Sequence, residues 1–91
     1  MNFEWDPSKA EANLRKHGVS FERAAFVFSD RLNITLLDHV HSGTETRWVT
    51  IGQVQSDVLL VVHSYPLEPD DTTIRVISAR LVTAREREYY R

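Results

Sequence analysis

The chain has 91 residues and no cysteine, and its 11 Lys or Arg residues against 13 Asp or Glu give a formal net charge of −2. This length suits one domain, and the lack of cysteine excludes disulfides, thiolate nucleophiles and zinc–thiolate sites. An apolar share of 42% with a charged share of 26% is typical of a globular protein. No apolar run approaches the roughly 18 residues of a membrane span, and the first residues lack the features of a signal peptide. We therefore expect a single domain over residues 1–91, located in the cytoplasm.

The mild acidity of the whole chain hides an uneven distribution of charge. Residues 31–72 carry two basic and six acidic side chains, for a net charge of −4, whereas residues 73–91 carry five arginines and two glutamates, for +3. Nine of the 11 basic residues are arginine, whose planar guanidinium binds phosphate or carboxylate through two parallel hydrogen bonds. This pattern argues against a protein that coats nucleic acid by charge alone. It leaves open a local phosphate site or ordinary surface ion pairs.

The first third of the chain predicts a short strand followed by a helical hairpin. Phe3-Glu4-Trp5 alternates apolar and charged residues as an edge strand does. Asp6-Pro7 then supplies the cap and first residue of a helix that Gly18 ends. Ser20 caps a second helix that runs through Phe28, with apolar residues at helical spacing.

From about residue 33 the periodicity becomes that of strands, at 34–38, Thr46 to Val54, 58–63 and Thr73 to Ala79. The segment 58–63 is apolar on both faces, so we place it in the middle of the sheet. Thr83 and Glu86 have the spacing of a capping box and open a C-terminal helix that runs to Arg91. The chain is therefore predicted to be an α+β domain, in which helices back a mainly antiparallel meander of strands.

Glu45 and Arg47 form the first candidate site. Because they are two positions apart on a predicted strand, they project from the same face, at the rim of a core formed by Val49 and Ile51. An arginine beside a carboxylate could hold a scissile phosphate while the carboxylate accepts a proton. The same spacing also describes an ordinary ion pair worth about 0–1 kcal/mol, which spacing alone favours.

Arginines are also concentrated around the last strand and the last helix. Arg75 and Arg80 bracket that strand, and Arg85 and Arg87 lie near the start of the helix, where cations oppose the helix dipole. A phosphate, the carboxylate of Glu86 or an acidic partner would each offset that cost. These arginines are therefore candidates for anion binding.

Tyrosine and histidine residues give weaker signals. Tyr89 or Tyr90, near the end of the arginine-bearing helix, is a candidate for contact with a ligand. His17 comes at the end of the first helix, where an imidazolium is favourable, so capping and general acid–base chemistry both stay open. His39 and His41 are spaced as a zinc-binding pair, but a third ligand at convincing spacing is missing. We therefore expect no metal and no cofactor.

Several short motifs follow one another along the chain in a distinctive order. They are Phe3-Glu4-Trp5-Asp6-Pro7, Lys9-Ala10, Asn13-Leu14, Lys16-His17-Gly18-Val19-Ser20-Phe21, His41-Ser42, Glu45, Arg47, Ile51-Gly52, Arg75-Val76-Ile77-Ser78-Ala79-Arg80, Thr83, Glu86-Arg87 and Tyr90. Together these motifs resemble the BrnT family of toxins. The resemblance covers nearly the whole chain, and its specificity comes from the combination rather than from any single motif.

The resemblance implies a type II toxin with a RelE-like fold, whose activity is metal-independent endoribonuclease cleavage that stops translation. It also implies a BrnA-type antitoxin as partner, with a ribbon-helix-helix domain that binds operator DNA, so that the toxin reaches DNA only through the antitoxin. The residues that fall on family motif positions are His17, Glu45, Arg47, Arg75, Arg80 and Tyr90.

Our first hypothesis is an endoribonuclease in which an RNA 2′-hydroxyl attacks the adjacent phosphate without a metal. In this mechanism Glu45 is the general base, and Arg47 with Arg80 stabilises the pentavalent oxyanion. Tyr90 or His17 then protonates the leaving oxygen. The arginines expected to bind RNA phosphates are Arg75, Arg85 and Arg87.

The second hypothesis is a binding protein without catalysis. Here the arginine-bearing surface docks an acidic partner, and the protein acts as a corepressor within a DNA-binding toxin–antitoxin complex. Growth arrest on overexpression distinguishes the toxin from such a module.

Overall fold

A five-stranded sheet forms the centre of the computed structural model, which describes residues 1–40, 43 and 45–90. The elements are β1 (Asn2–Glu4), α1 (Pro7–His17), α2 (Phe21–Ala24), a 3-10 helix (Ala25–Ser29), β2 (Ile34–Leu37), β3 (Trp48–Val54), β4 (Asp57–Ser64), β5 (Thr73–Leu81) and α3 (Ala84–Arg87). The strand order is β1-β5-β4-β3-β2, in which β1 pairs with β5 in parallel and the other pairs are antiparallel. The α+β fold class with a mainly antiparallel sheet is thus confirmed. His41, Ser42 and Arg91 lie outside the described residues.

The first helix begins and ends where local chemistry predicts. Asp6 accepts a hydrogen bond from the backbone N–H of Ser8 at 2.9 Å, and Pro7 occupies the first turn. At the other end Gly18 adopts a φ of 71°, and its N–H bonds the carbonyl of Leu14 at 2.9 Å. This left-handed conformation favours glycine because a Cβ would be strained there.

The second predicted helix is wrong in its second half. Ser20 caps it as expected, but the α-helix ends at Ala24 and continues as the 3-10 helix. The tighter helix places Val27, which is fully buried, directly on Gly52 of β3. A Cβ on Gly52 would lie 2.9 Å from both the Cβ and the carbonyl oxygen of Val27, so this close approach requires glycine.

The last helix is also shorter than predicted. The capping box between Thr83 and Glu86 is present, but α3 ends at Arg87 rather than Arg91. The N–H groups of Tyr89 and Tyr90 then bond the carbonyls three residues before them, as in a tight terminal turn. No helix among the described residues is long and apolar enough to cross a membrane.

The strands also differ from their predicted limits. The strand at 58–63 is confirmed as central, since β4 lies between β5 and β3. The predicted strand from Thr46 begins at Trp48 instead, so Glu45 and Arg47 precede β3. The ladder with β2 nevertheless extends slightly, since the N–H of Asp38 bonds the carbonyl of Arg47 at 2.9 Å.

The last strand extends to Leu81 because it pairs with Leu59 of β4 at that end. Arg75 and Arg80 therefore lie within β5, and the expectation that they bracket the strand is wrong. Because both arginines lie within the strand, each side chain projects from a defined face of the sheet.

The sheet has two different faces. The face that we call the helix face carries Val76 and Ala79 of β5 with Leu59 and Val61 of β4, and it packs against α1, α2 and the 3-10 helix. The opposite face, which we call the open face, carries a smaller apolar cluster of Ile51, Val58 and Leu60, against which Val82 and Tyr90 pack.

A bulge in β5 determines which residues reach the open face. Val62 of β4 pairs with Ser78, but the next residue, His63, pairs with Val76, so one extra residue is inserted in β5. Val76 and Ala79 consequently share the helix face although they are three positions apart. Arg75 and Arg80 each lie next to one of these buried residues, and both therefore project from the open face.

Candidate active site on the open face of the sheet

The open face holds a cavity of about 550 Å³. Its lining combines an apolar floor with a polar rim. The floor consists of Val49, Ile51, Leu60 and Val62, and the surrounding residues are Leu36, Leu37, Asp38, His39, Val40, Arg80, Glu86 and Tyr89. This depression in the sheet is thus surrounded by one arginine, two carboxylates, one imidazole and one phenol.

Glu86 holds Arg80 in a fixed position at the rim of this cavity. Arg80 donates through Nη1 to Oε1 of Glu86 at 2.7 Å and through Nη2 to Oε2 at 2.8 Å. The N–H of Thr83 donates to the same carboxylate at 2.9 Å. The hydrogen bonds from Arg80 lower the pKa of Glu86 to about 2. Glu86 is therefore ionised at neutral pH, and it orients Arg80 rather than accepting a proton.

Arg75 joins two carboxylates from distant parts of the chain. Its Nε donates to Glu4 at 2.8 Å, and its Nη1 donates to Glu45 at 2.7 Å. The bond to Glu4 and the nearby charge of Glu45 both raise the pKa of Arg75. The sequence predicted that Glu45 lies beside Arg47 on one strand, whereas in the structure it precedes β3 and binds Arg75.

Arg47 lies at the same end of the sheet as Arg75. The β3–β4 ladder ends with Trp48 opposite His63, and Arg47 directly precedes Trp48 while Ser64 directly follows His63. Ser64 is also the residue of β4 that pairs with Arg75. Arg47, just before β3, and Arg75, within β5, therefore flank this end of β4.

Arg80 lies further along the open face than these residues. It pairs with Leu60, which is four residues from Ser64 on β4. At about 3.3 Å per residue this corresponds to about 13 Å along the strand. The open face thus has two charged groups of residues, Arg75 with its carboxylates and Arg80 with Glu86, and the apolar side chain of Val62 lies between them.

The structure does not bring all the predicted site residues together. Tyr90 donates from its hydroxyl to Asp30, and this bond raises the pKa of Tyr90 and lowers that of Asp30. His17 ends α1 in the helical layer, so the sheet separates it from Arg80. Arg85 and Arg87 are both exposed on α3. Tyr89, the other tyrosine that the sequence indicated, lines the cavity with Arg80.

Glu4 is a charged residue of the open face that the sequence did not indicate. It reaches Arg75 because β1 pairs in parallel with β5, which places Glu4 beside Arg75. The two residues are 71 positions apart, and no local sequence pattern indicates that they are in contact. Glu86 was one of three anions expected near the arginines, and the structure shows that it binds Arg80.

The histidines do not form a metal site in the part of the chain that the structure describes. No group of three or more His, Cys, Asp or Glu side chains there is placed to hold a metal, and His41 is outside that part. His63 is fully buried, and its Nε2 lies 2.7 Å from the hydroxyl of Thr50. Burial lowers the pKa of His63 to about 4, so it is a neutral core residue.

The α+β fold and the arginine–carboxylate pairs of the open face are consistent with a small toxin domain. Comparison with protein families then assigns the chain directly. It belongs to the BrnT family, the ribonuclease toxins of type II toxin–antitoxin systems, whose sequence pattern matches residues 5–86. No individual curated protein matches the chain.

The matched region contains Glu45, Arg47, Arg75, Arg80 and Glu86, and it ends before the two C-terminal tyrosines. Membership of a type II toxin–antitoxin family implies an antitoxin as partner. The resemblance inferred from the motifs is thus confirmed at the level of the family.

Proposed function

We propose that this protein is a metal-independent endoribonuclease that cleaves RNA on the open face of its sheet. The observation that carries the proposal is the bulge in β5, which directs Arg75 and Arg80 to the same face. Glu45 binds Arg75 there at 2.7 Å, so a carboxylate and two guanidinium groups share one surface. A carboxylate can accept the proton of the 2′-hydroxyl and arginines can stabilise the developing negative charge, so these groups can support in-line cleavage of RNA without a metal.

In the proposed reaction the 2′-oxygen of one nucleotide attacks the adjacent phosphorus, and its proton passes to the carboxylate of Glu45. Nη1 of Arg75 donates to Oε2 of Glu45, and in the proposed reaction the other oxygen, Oε1, accepts the proton. Arg75 therefore orients the base. The bond between phosphorus and the 5′-oxygen breaks, which leaves a 2′,3′-cyclic phosphate on one product and a 5′-hydroxyl on the other.

We place the scissile phosphate above Val62, between the two charged groups of the open face. There the long side chains of Arg47 and Arg80 extend toward it from opposite ends and stabilise the negative charge that develops on its oxygens. Removing a single preorganised donor of this kind typically lowers kcat by about 10²–10³. The leaving 5′-oxygen needs a proton, and His39 is the donor that we assign to it. His39 lines the same cavity as Arg80, and imidazole is the side chain that most often serves in this role. His17 is in the other layer of the fold, and Tyr90 is bonded to Asp30.

The protein acts in the cytoplasm, where its cleavage of RNA stops translation, and a BrnA-type antitoxin with a ribbon-helix-helix domain neutralises it. The antitoxin in turn binds operator DNA and carries the toxin with it. This part of the proposal is supported by the type II toxin–antitoxin family to which the chain belongs. Arg85 and Arg87, exposed near the end of the cavity that Glu86 and Tyr89 line, bind flanking RNA phosphates.

One observation favours a non-catalytic corepressor as the second candidate. Both Arg75 and Arg80 already have carboxylate partners, so an acidic segment of a partner can exchange with Glu4, Glu45 or Glu86. Overexpression in cells distinguishes the two functions. Growth arrest that the antitoxin relieves identifies the toxin, and unaffected growth with an intact complex identifies the corepressor.

Cleavage of a short RNA by the purified protein in excess EDTA tests the proposed reaction. We expect a product with a 2′,3′-cyclic phosphate, and no cleavage when the nucleotide before the scissile phosphate carries 2′-deoxyribose. That deoxy substrate is the matched control, since it keeps the phosphates and bases. Loss of all cleavage in EDTA, or unchanged cleavage of the deoxy substrate, contradicts the proposal.

A further inference from the structure

Asp30 connects three parts of the chain through its carboxylate. One of its oxygens accepts the N–H of Leu32 at 2.9 Å, and the other accepts the N–H of Gln53 at 2.7 Å. The second oxygen also accepts the hydroxyl of Tyr90. Asp30 thereby ties the C-terminal residues to β3 and to the turn before β2.

Tyr90 is anchored by packing as well as by this hydrogen bond. Its ring packs against the cluster of Ile51, Val58 and Leu60. The hydroxyl points toward a cleft that Asp30 also lines, whereas Tyr90 is not among the residues that line the cavity of Arg80. The proton of the Tyr90 hydroxyl is thus directed away from the proposed site of cleavage.

The C-terminal segment, residues 84–90, has little structure of its own to hold it in place. Its helix has four residues, and a helix this short is marginal without tertiary contacts. The bonds of Glu86 to Arg80 anchor the segment at one end, and the bond of Tyr90 to Asp30 anchors it at the other. Between the two anchors lies Tyr89, which is 63% exposed and lines the cavity.

We propose that Asp30 and Tyr90 form a latch that positions the C-terminal segment over the open face, so that Glu86 stays on Arg80 and Tyr89 stays beside it. Tyr90 is then a positioning residue and not a proton donor. The proposal rests on the endoribonuclease function proposed above. It assigns a role to Asp30, whose hydrogen bonds go to Leu32, Gln53 and Tyr90 rather than to Arg75 or Arg80.

Kinetics with two RNA substrates test the latch against a role in proton transfer. One substrate has the ordinary 5′-oxygen leaving group, and the other has a bridging sulfur there, which leaves without a proton. We expect Tyr90→Phe and Asp30→Asn each to lower kcat by about tenfold, the equivalent of one charge-assisted hydrogen bond, with little change in KM. The double variant should lose no more than either single variant. The loss should be equal for the oxygen and sulfur substrates.

The Tyr65→Phe variant is the matched control, because it removes a tyrosine hydroxyl near Trp48 and His63, away from the segment. It should leave both substrates unaffected. A loss in Tyr90→Phe that disappears with the sulfur substrate would show that Tyr90 donates the proton. Full activity in Asp30→Asn would equally overturn the latch.

Hydrogen exchange separates failure of the latch from failure of the proposed function. The N–H groups of Tyr89 and Tyr90 bond the carbonyls of Glu86 and Arg87 at 3.1 Å and 3.0 Å. The latch predicts faster exchange of these amides in Asp30→Asn, confined to residues 84–90, whether or not the protein cleaves RNA. Unchanged exchange there, with an intact fold, contradicts it.

Discussion

Arg75 and Arg80 project from the same face of the sheet although they are five residues apart on one strand. In a regular strand an odd separation places two side chains on opposite faces. The extra residue between the pairs Val62–Ser78 and His63–Val76 reverses the alternation, so that both guanidinium groups reach the open face. The charged surface on which the proposed activity depends is therefore a consequence of one inserted residue.

Replacement of Glu45 by Gln tests the assignment of the general base. A positioned base typically contributes about 10²–10⁴ in rate, so Glu45→Gln should lower kcat by that factor. Glu4 binds the same arginine at 2.8 Å from the other side, which makes Glu4→Gln the matched control. We expect Glu4→Gln to stay within a few-fold of the wild type in an RNA cleavage assay. Equal losses in both variants would mean that Glu45 acts only by holding Arg75.

Salt dependence tests how local the RNA contact is. Because the net charge is −2 and only residues 73–91, with five of the nine arginines, carry a net positive charge of +3, binding should release few counterions. The slope of log affinity against log salt should correspond to about two to four phosphate contacts, measured with an uncleavable 2′-deoxy-substituted RNA. A much steeper slope would place the RNA on a different and larger basic surface.

Asn13 connects α1 to the bulged strand, and its removal should destabilise the fold. Its Nδ2 donates to the carbonyls of Val19 and Ala79, both at 2.9 Å, and its Oδ1 accepts the N–H of Ala79 at 3.1 Å. Asn13→Ala leaves these buried groups without partners, so the free energy of unfolding should fall by about 2–4 kcal/mol. The exposed Asn2→Ala is the control and should change it by less than about 0.5 kcal/mol. Equal urea midpoints for the two variants would contradict this account.

His63 should make stability depend on pH in the mildly acidic range. Burial lowers its pKa from 6.5 to about 4 in the folded state. Below pH 6.5 the unfolded chain binds a proton that the folded chain excludes, so the free energy of unfolding should decrease as the pH falls towards 4. The decrease due to this group amounts to about 3 kcal/mol. The free energy of unfolding, measured with urea between these pH values, should depend less steeply on pH in His63→Leu than in the wild type. Identical slopes of this free energy against pH in the two proteins would refute the assignment.

The helix boundaries that rest on local chemistry could be predicted from the sequence. Asp6, Gly18, Ser20 and Thr83 all cap helices as expected, because each cap depends on residues within a few positions of it. The central position of β4 could also be predicted, because residues 58–63 are apolar on both faces. Local signals did not predict the conformation where tertiary packing determines it. The 3-10 helix, which brings Val27 into contact with Gly52, is the example.

The partners of the candidate site residues could not be predicted, because they are brought together by the register of distant strands. Arg75 meets Glu4 across 71 positions and Glu45 across 30. The bulge in β5 has no sequence signal such as glycine, so the common face of Arg75 and Arg80 was not foreseen. The hydrogen bond between Tyr90 and Asp30, which are 60 positions apart, depends on the tight turn that follows α3.

The measurement that tests the central claim most directly is RNA cleavage in excess EDTA by the wild type and by Arg80→Ala. The matched control is Arg15→Ala, which removes an arginine that is also ion-paired, at 2.8 Å to Glu11, but lies in the helical layer. We predict that the wild type and Arg15→Ala cleave equally and that Arg80→Ala loses about 10²–10³ in kcat. Undiminished cleavage by Arg80→Ala, or no cleavage by the wild type, would contradict the assignment of the open face as the active site.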